Sequence, residues 1–268
     1  MKYNTVLTIA GTDPSGGAGV QADIKAISAC GCYATSAITA VLAQNTVGVT
    51  DIHAVPNDML KNQIIAVLED VGTDAVKIGM LHSSETVNIV SDTLKEFNAT
   101  NIVLDPVMVA TSGDVLLKED AINTLKSVLI PMVRVITPNI PEAELLLGKK
   151  IEKQSDLPLF ARELSNNRQV SVLLKAGHLT DDELIDIFYN AETDEIIELK
   201  SKRVTTKNTH GTGCTLSSAF ASFLARGCGL NEAAFAAKSY INKAIVDGAV
   251  YEIGKGHGPV HHFHEFWK

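Results

Sequence analysis

A glycine-rich turn, "THGTGC" at residues 209–214, stands directly before a long apolar run that predicts a helix. Gly211, Thr212 and Gly213 would present successive backbone N–H groups at the start of this helix, where a partial positive charge favours anions. Glycine lets the backbone approach a phosphoryl group to hydrogen-bond distance. The same field predicts that the pKa of the Cys214 thiol is lower than that of a free cysteine. The spacing therefore predicts an anion site beside an acidified thiol.

A second glycine-rich turn, "AGTDPSGGAG" at residues 10–19, follows a predicted strand and precedes a predicted helix. Its glycines permit close approach of the backbone to a ligand. The turn lacks the spacing of the dinucleotide-binding fingerprint and the Gly-Lys-Ser/Thr of a P-loop. By itself it is typical both of a ligand-binding turn and of a flexible connection.

Polar residues end two further predicted strands. Asp105 ends "IVLD" and Lys175 ends "VLLK", at the edge where open α/β sheets bind ligands. The alternatives are that Asp105 orders the turn into Pro106 and that Lys175 is a solvated lysine. In "TPNIPE", Asn139 and Glu142 are three residues apart, which predicts a capping box at the start of a helix.

Short apolar runs alternate with helical patterns, which predicts an α/β fold with a mostly parallel central sheet flanked by helices. The predicted strands are Val6–Ile9, Ala75–Ile78, Ile102–Leu104, Val133–Ile136 and Val172–Leu174. The predicted helices are Gly19–Ala29, Asn57–Val71, Glu85–Phe97, Lys118–Leu129, Pro141–Leu147, Thr215–Arg226 and Asn231–Gly248. Residues 184–199 predict a hairpin, and hence an antiparallel edge. With no internal repeat or long linker, residues 1–268 are expected to form a single domain.

Composition argues against several classes of partner. The chain has 23 Lys and Arg against 31 Asp and Glu, a net charge of −8, which disfavours nucleic acid and anionic membranes as partners. No run approaches the roughly 18 apolar residues of a membrane span, and the N-terminal apolar run is too short for a signal peptide. Cys30 and Cys32 lack zinc-site spacing. Few cysteines and no export signal predict a cytoplasmic location.

Between Val6 and Trp267 the chain contains, in order, "TIAGTDPSGGAGVQADIK", "ITAVLAQNT", "KIGML", "VLDPVM", "ITPNIPEAELLL", "KAGH", "TKNTHGTGCTLSSAFA" and "GHGPVHHFHEFW". Together these segments resemble hydroxymethylpyrimidine/phosphomethylpyrimidine kinases, ribokinase-like enzymes that serve thiamin biosynthesis. The resemblance implies a ribokinase-like three-layer αβα sandwich, ATP as donor and Mg²⁺ as cofactor. It also implies two successive phosphorylations of one pyrimidine and a homodimer.

The resemblance assigns residues to the nucleotide side of such a site. The metal ligands, directly or through water, are Asp105 and Glu142. The nucleotide-binding residues are Lys175, Asn139, Lys238, Thr206 and His210. The residue types leave alternatives open, because Lys238 is also compatible with a solvated lysine and Asn139 with capping alone. His210 would either contact nucleotide or order the adjacent turn.

Other residues are assigned to the acceptor. The Gln44 amide offers one acceptor and two donors, which match the amine and ring nitrogen of an aminopyrimidine. Met80 and Val107 follow strand ends and would sandwich a flat ring, with simple core packing as the alternative. Gly11 lies in the first glycine-rich turn. Asp23 is placed close to the substrate by the resemblance, or it favours a helix N-terminus electrostatically.

Many ribokinase-like sugar kinases carry Asp where this chain has Cys214. The resemblance implies that Cys214 accepts the hydroxymethyl proton in the first transfer, while Gly211, Thr212 and Gly213 receive the phosphoryl group. A phosphate monoester is already ionised, so the second transfer should need no base. Residues 110–115, "ATSGDV", are predicted to form a lid over the substrate.

Two other functions are compatible with the same scaffold. Pyridoxal-directed relatives tend to carry Met near Gln44 and Cys near Ala110, and this chain has neither, which favours the pyrimidine. A ligand sensor without turnover would not need Asp105 or Cys214, yet both are present. Four histidines near the C-terminus are expected to pack or to dock the chain end rather than to bind metal. They are His257, His261, His262 and His264.

Overall fold

The computed structural model describes residues 2–108 and 119–267. Its strands are β1 (Thr5–Ala10), β2 (Tyr33–Ile38), β3 (Ala40–Gln44), β4 (Val49–Ala54), β5 (Ala75–Ile78), β6 (Ile102–Leu104), β7 (Val135–Ile136), β8 (Ser171–Leu174), β9 (Glu183–Asn190) and β10 (Glu195–Lys202). Within the described residues, eight strands form one sheet in the order β10-β9-β8-β7-β6-β5-β1-β2, and β3 pairs separately with β4. From β8 to β2 the strands are parallel, whereas β9 is antiparallel to β8 and β10. The predicted parallel sheet with an antiparallel edge is confirmed.

Helices cover both faces of the main sheet. They are α1 (Gly19–Ala29), α2 (Asn57–Asp70), α3 (Ser84–Glu96), α4 (Glu119–Thr124), α5 (Ile140–Leu147), α6 (Leu157–Leu164), α7 (Thr212–Ala225) and α8 (Leu230–Gly248). Helices α2 to α6 contribute to one apolar core, and α1, α7 and α8 contribute to the other. The predicted three-layer αβα sandwich is confirmed. None of the described helices combines the length and the apolarity needed to span a bilayer.

The central strands send alternate side chains into the two cores. In β1, Leu7 and Ile9 pack in the first core and Val6 in the second. In β6, Ile102 and Leu104 belong to the first core, while the residue between them belongs to the second. Burial on both faces explains why these strands are continuous apolar runs. Because both faces of these strands are buried, only the residues at the strand ends, along one edge of the sheet, can contact a ligand.

The sequence patterns do not predict β2, β4 or α6. Most side chains of β4 are exposed and those of β2 only partly buried, so these two strands carry little apolar signal. The polar segment "KKIEKQSD" at residues 149–156 has the composition of a surface loop, and it includes a short 3₁₀ turn at Gln154–Asp156 that leads into α6. The β3–β4 pair matters for the site, because β3 ends at Gln44.

Candidate active site

A cavity of about 830 Å³ lies at the carboxyl edge of the main sheet, near the upper end of the usual range for small-molecule sites. The predicted residues that line it are Gly11, Gln44, Met80, Asp105, Val107, Asn139, Glu142, Lys175, Lys238, His210, Gly211, Thr212, Gly213 and Cys214. Asp23 and Thr206 are described but do not line it. The predicted lid, residues 110–115, lies outside the described residues.

The close packing of the turn before α7 depends on Gly211 and Gly213 having no side chain. Gly211 adopts φ +76°, and a Cβ there would lie 1.7 Å from the carbonyl oxygen of Gly17. A Cβ on Gly213 would lie 3.1 Å from Asp105 Oδ2 and 3.3 Å from Lys175 Nζ. The two glycine-rich turns therefore pack directly on each other. The first residues of α7 also lie directly beside a carboxylate and an ammonium group.

Asp13 links the two glycine-rich turns. Its carboxylate accepts hydrogen bonds from the N–H groups of Ser15 (2.9 Å), Gly17 (3.1 Å) and Ala18 (2.7 Å) in the first turn. It also contacts Nε2 of His210 at 2.7 Å, directly before the second turn. Burial raises the pKa of Asp13, but the hydrogen bonds from His210 and the first turn outweigh burial, so its pKa is lowered. His210 therefore joins the two turns through Asp13, and because it also lines the cavity, nucleotide contact by His210 stays a prediction.

Asp105 and Lys175 meet because β6 and β8 both neighbour β7. Lys175 Nζ donates to Asp105 Oδ1 at 3.0 Å, and Thr137 Oγ1 donates to the same oxygen at 2.9 Å. Burial lowers the pKa of Lys175, but the charges of Asp105 and Glu142 outweigh burial and raise it. The lysine therefore stays charged in the cavity wall, and the two predicted strand-end residues form one unit.

Asn139 and Glu142 form the predicted capping box at the start of α5. The Glu142 N–H donates to Asn139 Oδ1 at 2.9 Å, and the Asn139 N–H donates to Glu142 Oε2 at 2.7 Å. Burial raises the pKa of Glu142 to about 7, with Lys175 lowering it and Asp105 raising it. Since both residues also line the cavity, capping leaves them able to meet a ligand.

Cys214 lies in the first turn of α7, but its thiol is not acidified. Burial raises the pKa of Cys214 to about 11, with Lys77 lowering it and Asp23 raising it. The prediction of a lowered pKa is wrong, because it considered the helix terminus and not the desolvation of the thiol. At pH 7 roughly one thiol in ten thousand would be ionised.

A buried ion pair near the cavity is absent from the sequence predictions. Lys77 Nζ donates to Asp23 Oδ2 at 2.8 Å, and neither side chain is exposed. Asp23 also accepts hydrogen bonds from Thr8 Oγ1 at 2.6 Å and Ser218 Oγ at 2.8 Å. The Asp23 carboxylate is enclosed by these donors, and of the two charged residues only Lys77 lines the cavity. A place for Asp23 close to the substrate stays a prediction. The available signal was a lysine inside the buried strand "AVKI".

The end of the cavity that was predicted to bind the acceptor combines apolar walls with the amide of Gln44. Met80 and Leu42 belong to a small apolar cluster outside the two main cores, and Val107 packs against it. A Cβ on Gly11 would lie 3.0 Å from Met80 Cε and 3.1 Å from Leu42 Cδ1, so this turn approaches the cluster closely. With Gln44 also in the lining, the pocket suits a flat ring that carries hydrogen-bond donors and acceptors.

Two predicted nucleotide-binding residues have other partners. Lys238 Nζ donates to Asp186 Oδ2 at 2.6 Å, so this lysine lines the cavity as half of an ion pair. Thr206 Oγ1 accepts a hydrogen bond from the N–H of Asn208 at 3.0 Å, in a local turn outside the cavity lining. Nucleotide binding by Thr206 stays a prediction. A phosphate contact by Lys238 stays a prediction.

The C-terminal histidines pack against helices and aromatic rings. The ring of His261 lies 5.2 Å from those of Tyr251 and Trp267. His262 Nε2 lies 3.0 Å from Thr215 Oγ1 of α7. Across residues 2–108 and 119–267, no group of three or more His, Cys, Asp or Glu side chains is arranged to hold a metal ion. These contacts dock the end of the described chain onto α7.

The layered parallel sheet, with its paired carboxylate and lysine beside a helix N-terminus, places the protein among the ribokinase-like small-molecule kinases. Within that class, the chain belongs to the phosphomethylpyrimidine kinase family, whose model matches residues 13–261. The resemblance found in the sequence is thereby confirmed.

Individual relatives agree with this assignment. The chain is 46% identical over 263 residues to a hydroxymethylpyrimidine/phosphomethylpyrimidine kinase of Rhizobium meliloti, with 98% of each chain covered. A crystal structure of phosphomethylpyrimidine kinase from Clostridium difficile matches with a TM-score of 0.78 and 43% identity, covering 90% of this chain and 99% of that one. The Staphylococcus aureus pyridoxal kinase in complex with AMP-PCP and pyridoxal matches with a TM-score of 0.89 and 30% identity, covering 99% and 96%.

Proposed function

We propose that this chain transfers a phosphoryl group from ATP to the hydroxyl of 4-amino-5-hydroxymethyl-2-methylpyrimidine, and then a second one to the resulting monophosphate. One observation carries the proposal: a single cavity contains both the ring pocket at Gln44 and the glycine-rich turn at Gly213. Donor and acceptor can therefore meet within one site. The names of the relatives support the pyrimidine, and the AMP-PCP complex of the Staphylococcus aureus enzyme supports ATP.

In this proposal the protein contributes position and charge, which are what phosphoryl transfer mainly requires. Backbone N–H groups at the start of α7 bind the transferring group, as helix N-termini bind anions. Lys175 supplies a positive charge beside Gly213, and Asp105 holds that lysine in place at 3.0 Å. Gln44, Met80 and Val107 orient the ring so that its hydroxymethyl group points toward the turn.

Asp105 and Glu142 fit a magnesium ion. Both carboxylates line the cavity, and burial together with the charge of Asp105 raises the pKa of Glu142, so a divalent cation would relieve crowded negative charge. Carboxylate oxygens are the ligands that Mg²⁺ prefers. When bound there, Mg²⁺ would neutralise negative charge on the phosphates. Asn139, which caps α5, the helix that contains Glu142, would hold water near this ion.

Cys214 is proposed to accept the proton of the hydroxymethyl group in the first transfer. Its thiolate is a strong base, because its pKa is raised to about 11, but it is scarce at neutral pH. While the pH is below the pKa, each increase of one pH unit raises the thiolate fraction about tenfold. A monophosphate acceptor is already ionised and does not need this base.

We therefore expect kcat for hydroxymethylpyrimidine to rise by up to about tenfold per unit between pH 7 and pH 9, because thiolate accumulates toward a pKa of about 11. The kcat for its monophosphate should change little over the same range. Cys214→Ser and Cys214→Ala should slow the first transfer far more than the second and flatten the first profile. Separate steady-state assays of the two acceptors measure this. Parallel profiles, or equal losses in the variants, would contradict the base role.

The proposed function is tested by coupling ATP consumption to product masses. Purified protein is supplied with ATP, Mg²⁺ and one acceptor at a time: hydroxymethylpyrimidine, its monophosphate or pyridoxal. We expect mono- and diphosphorylated pyrimidine, with pyridoxal phosphate formed at a lower kcat/KM. Pyridoxal is included because a pyridoxal kinase superposes closely on this fold. A kcat/KM higher for pyridoxal than for the pyrimidine would replace the proposed function with pyridoxal kinase.

We further propose that the chain acts as a single kinase domain, assembled as a homodimer in the cytoplasm. The proposal rests on the resemblance of residues 13–261 to this family. Sedimentation velocity at micromolar concentration tests the assembly. A single boundary at the mass of one 28.6 kDa chain would refute the homodimer and leave the kinase assignment intact.

A further inference from the structure

The turn that joins β3 to β4 is held from outside by the chain that follows α8. We call residues 249–258 the C-terminal strap. Within it, the N–H of Gly256 donates to Thr46 Oγ1 at 3.1 Å, and the N–H of His257 donates to the Thr46 carbonyl oxygen at 2.8 Å. The hydroxyl and the carbonyl oxygen of Thr46 are therefore bound by consecutive residues of the strap.

Two glycines allow the strap to approach Thr46 this closely. Gly254 adopts φ +72°, and a Cβ there would lie 2.2 Å from Thr46 Oγ1. A Cβ on Gly256 would lie 2.0 Å from the Thr46 carbonyl oxygen. Real Cβ atoms do not approach backbone oxygens to this distance, so any side chain at Gly256 must move the strap and the turn apart.

The other side of the strap is bound to the segment that leads into Gly211, Thr212 and Gly213 at the start of α7. We call these three residues the phosphate-binding turn, after their proposed role. The Asn208 side chain donates to the Tyr251 carbonyl oxygen at 2.7 Å, and the N–H of His210 donates to the Gly258 carbonyl oxygen at 3.0 Å. His210 is the residue directly before Gly211. The strap therefore connects the β3–β4 turn to the turn at the start of α7.

Movement of Thr46 would be passed to Gln44, because the turn between the strands is short and internally bonded. The N–H of Asn45 donates to the Gly48 carbonyl oxygen at 3.1 Å, and the Asn45 side chain accepts from the N–H of Val47 at 2.8 Å. Val47 itself is 65% exposed. The strap thus supports one side of the β3–β4 turn, and the other side of this turn faces solvent.

We infer that Thr46 and Gly256 are positioning residues for the acceptor: together they hold Gln44 at a fixed distance from the phosphate-binding turn. The inference rests on the proposed function, in which Gln44 binds the pyrimidine. It assigns to the strap a part in acceptor binding that is separate from binding of ATP. Small displacements of a positioned group lower rates strongly, so separating strap from turn should be measurable in kinetics.

The first test is Gly256→Ala, with Gly229→Ala as its matched control. Gly229 has φ −67°, and a Cβ there would meet nothing within 4 Å, so the control adds the same methyl group without a clash. For Gly256→Ala we expect KM for hydroxymethylpyrimidine to rise about tenfold or more, with KM for ATP within about twofold of wild type. The control should leave both constants unchanged.

The second test removes the hydroxyl that the strap binds. Thr46→Val keeps the shape of the side chain but cannot accept from the Gly256 N–H, whereas Thr46→Ser keeps the hydroxyl. We expect KM for the pyrimidine to rise about threefold to tenfold in Thr46→Val and to stay near wild type in Thr46→Ser. This pair decides the question if Gly256→Ala does not fold.

The outcomes separate the inference from the proposed function. A wild-type protein that does not phosphorylate the pyrimidine refutes the proposed function. A wild-type protein that does, while Gly256→Ala and Thr46→Val leave KM for the pyrimidine unchanged, refutes the inference alone. A parallel rise in KM for ATP and for the pyrimidine, with a lower thermal midpoint, also refutes it, because a general loss of structure would then explain the effect.

Discussion

Replacing Asp105 with asparagine is expected to lower kcat by about a thousandfold for both pyrimidine acceptors. The amide keeps the size of the side chain and still accepts a hydrogen bond from Thr137, so the fold should persist. It removes the charge that holds Lys175 at 3.0 Å and one of the two proposed magnesium ligands. Loss of one electrostatic contact to a transferring group costs about 10²–10³ in kcat, and this change affects two such contacts.

Initial rates at saturating ATP and acceptor measure this effect. Asp92→Asn is the matched control, because Asp92 is exposed on α3, remote from the cavity lining. The thermal midpoint of each variant, followed by circular dichroism, shows whether the fold is retained. A folded Asp105→Asn protein with kcat within about tenfold of wild type would contradict the role given to this carboxylate.

A single methyl group at Gly211 is expected to lower kcat by about 10²–10³. The Cβ of Gly211→Ala would lie 1.7 Å from the Gly17 carbonyl oxygen, so the two glycine-rich turns must separate. The N–H groups at the start of α7 would then no longer point to the phosphoryl position. The positive φ of +76° adds backbone strain of about 1–2 kcal/mol.

The variant Gly227→Ala separates the effect of backbone strain from the effect of moving the two glycine-rich turns apart. Gly227 has φ +87°, but a Cβ there would meet nothing within 4 Å, so that variant carries the strain without the collision. We expect Gly227→Ala to lose about 1–2 kcal/mol of unfolding free energy in urea and to keep its kcat. Equal kinetic losses in the two variants would show that the packing of the glycine-rich turns has no special part in catalysis.

The sequence was sufficient to predict those parts of the site that follow directly from strand ends and glycine turns. Asp105 and Lys175 end buried apolar strands, so their meeting at one edge follows from the parallel sheet. Asn139 and Glu142 carry a capping pattern that is local in sequence. Gln44 was predicted from its amide and its place directly after the apolar run "AVLA", and β3 does end at this residue.

The features that the sequence did not reveal depend on residues distant in sequence. Asp23 and Lys77 are separated by 54 positions, and nothing local to Asp23 reveals that a buried lysine occupies its carboxylate. The pKa of Cys214 follows from burial, which a helix start alone does not report. Thr206 lies near the glycine turn in sequence, yet its hydroxyl serves a local turn. Proximity along the chain is a weak guide to proximity in a cavity.

The separation of the β3–β4 pair from the main sheet has an evolutionary consequence. In the proposed function, part of acceptor recognition, the Gln44 amide, lies on this separate hairpin, whereas the transfer chemistry lies at the edge of the main sheet. Descendants could therefore exchange one heterocycle for another largely through changes in the hairpin. Because the C-terminal strap binds the β3–β4 hairpin at Thr46, substitutions in the hairpin and in the strap must accumulate together. A hairpin transplanted between kinases of this architecture should bring its acceptor preference only when its own strap is transplanted with it.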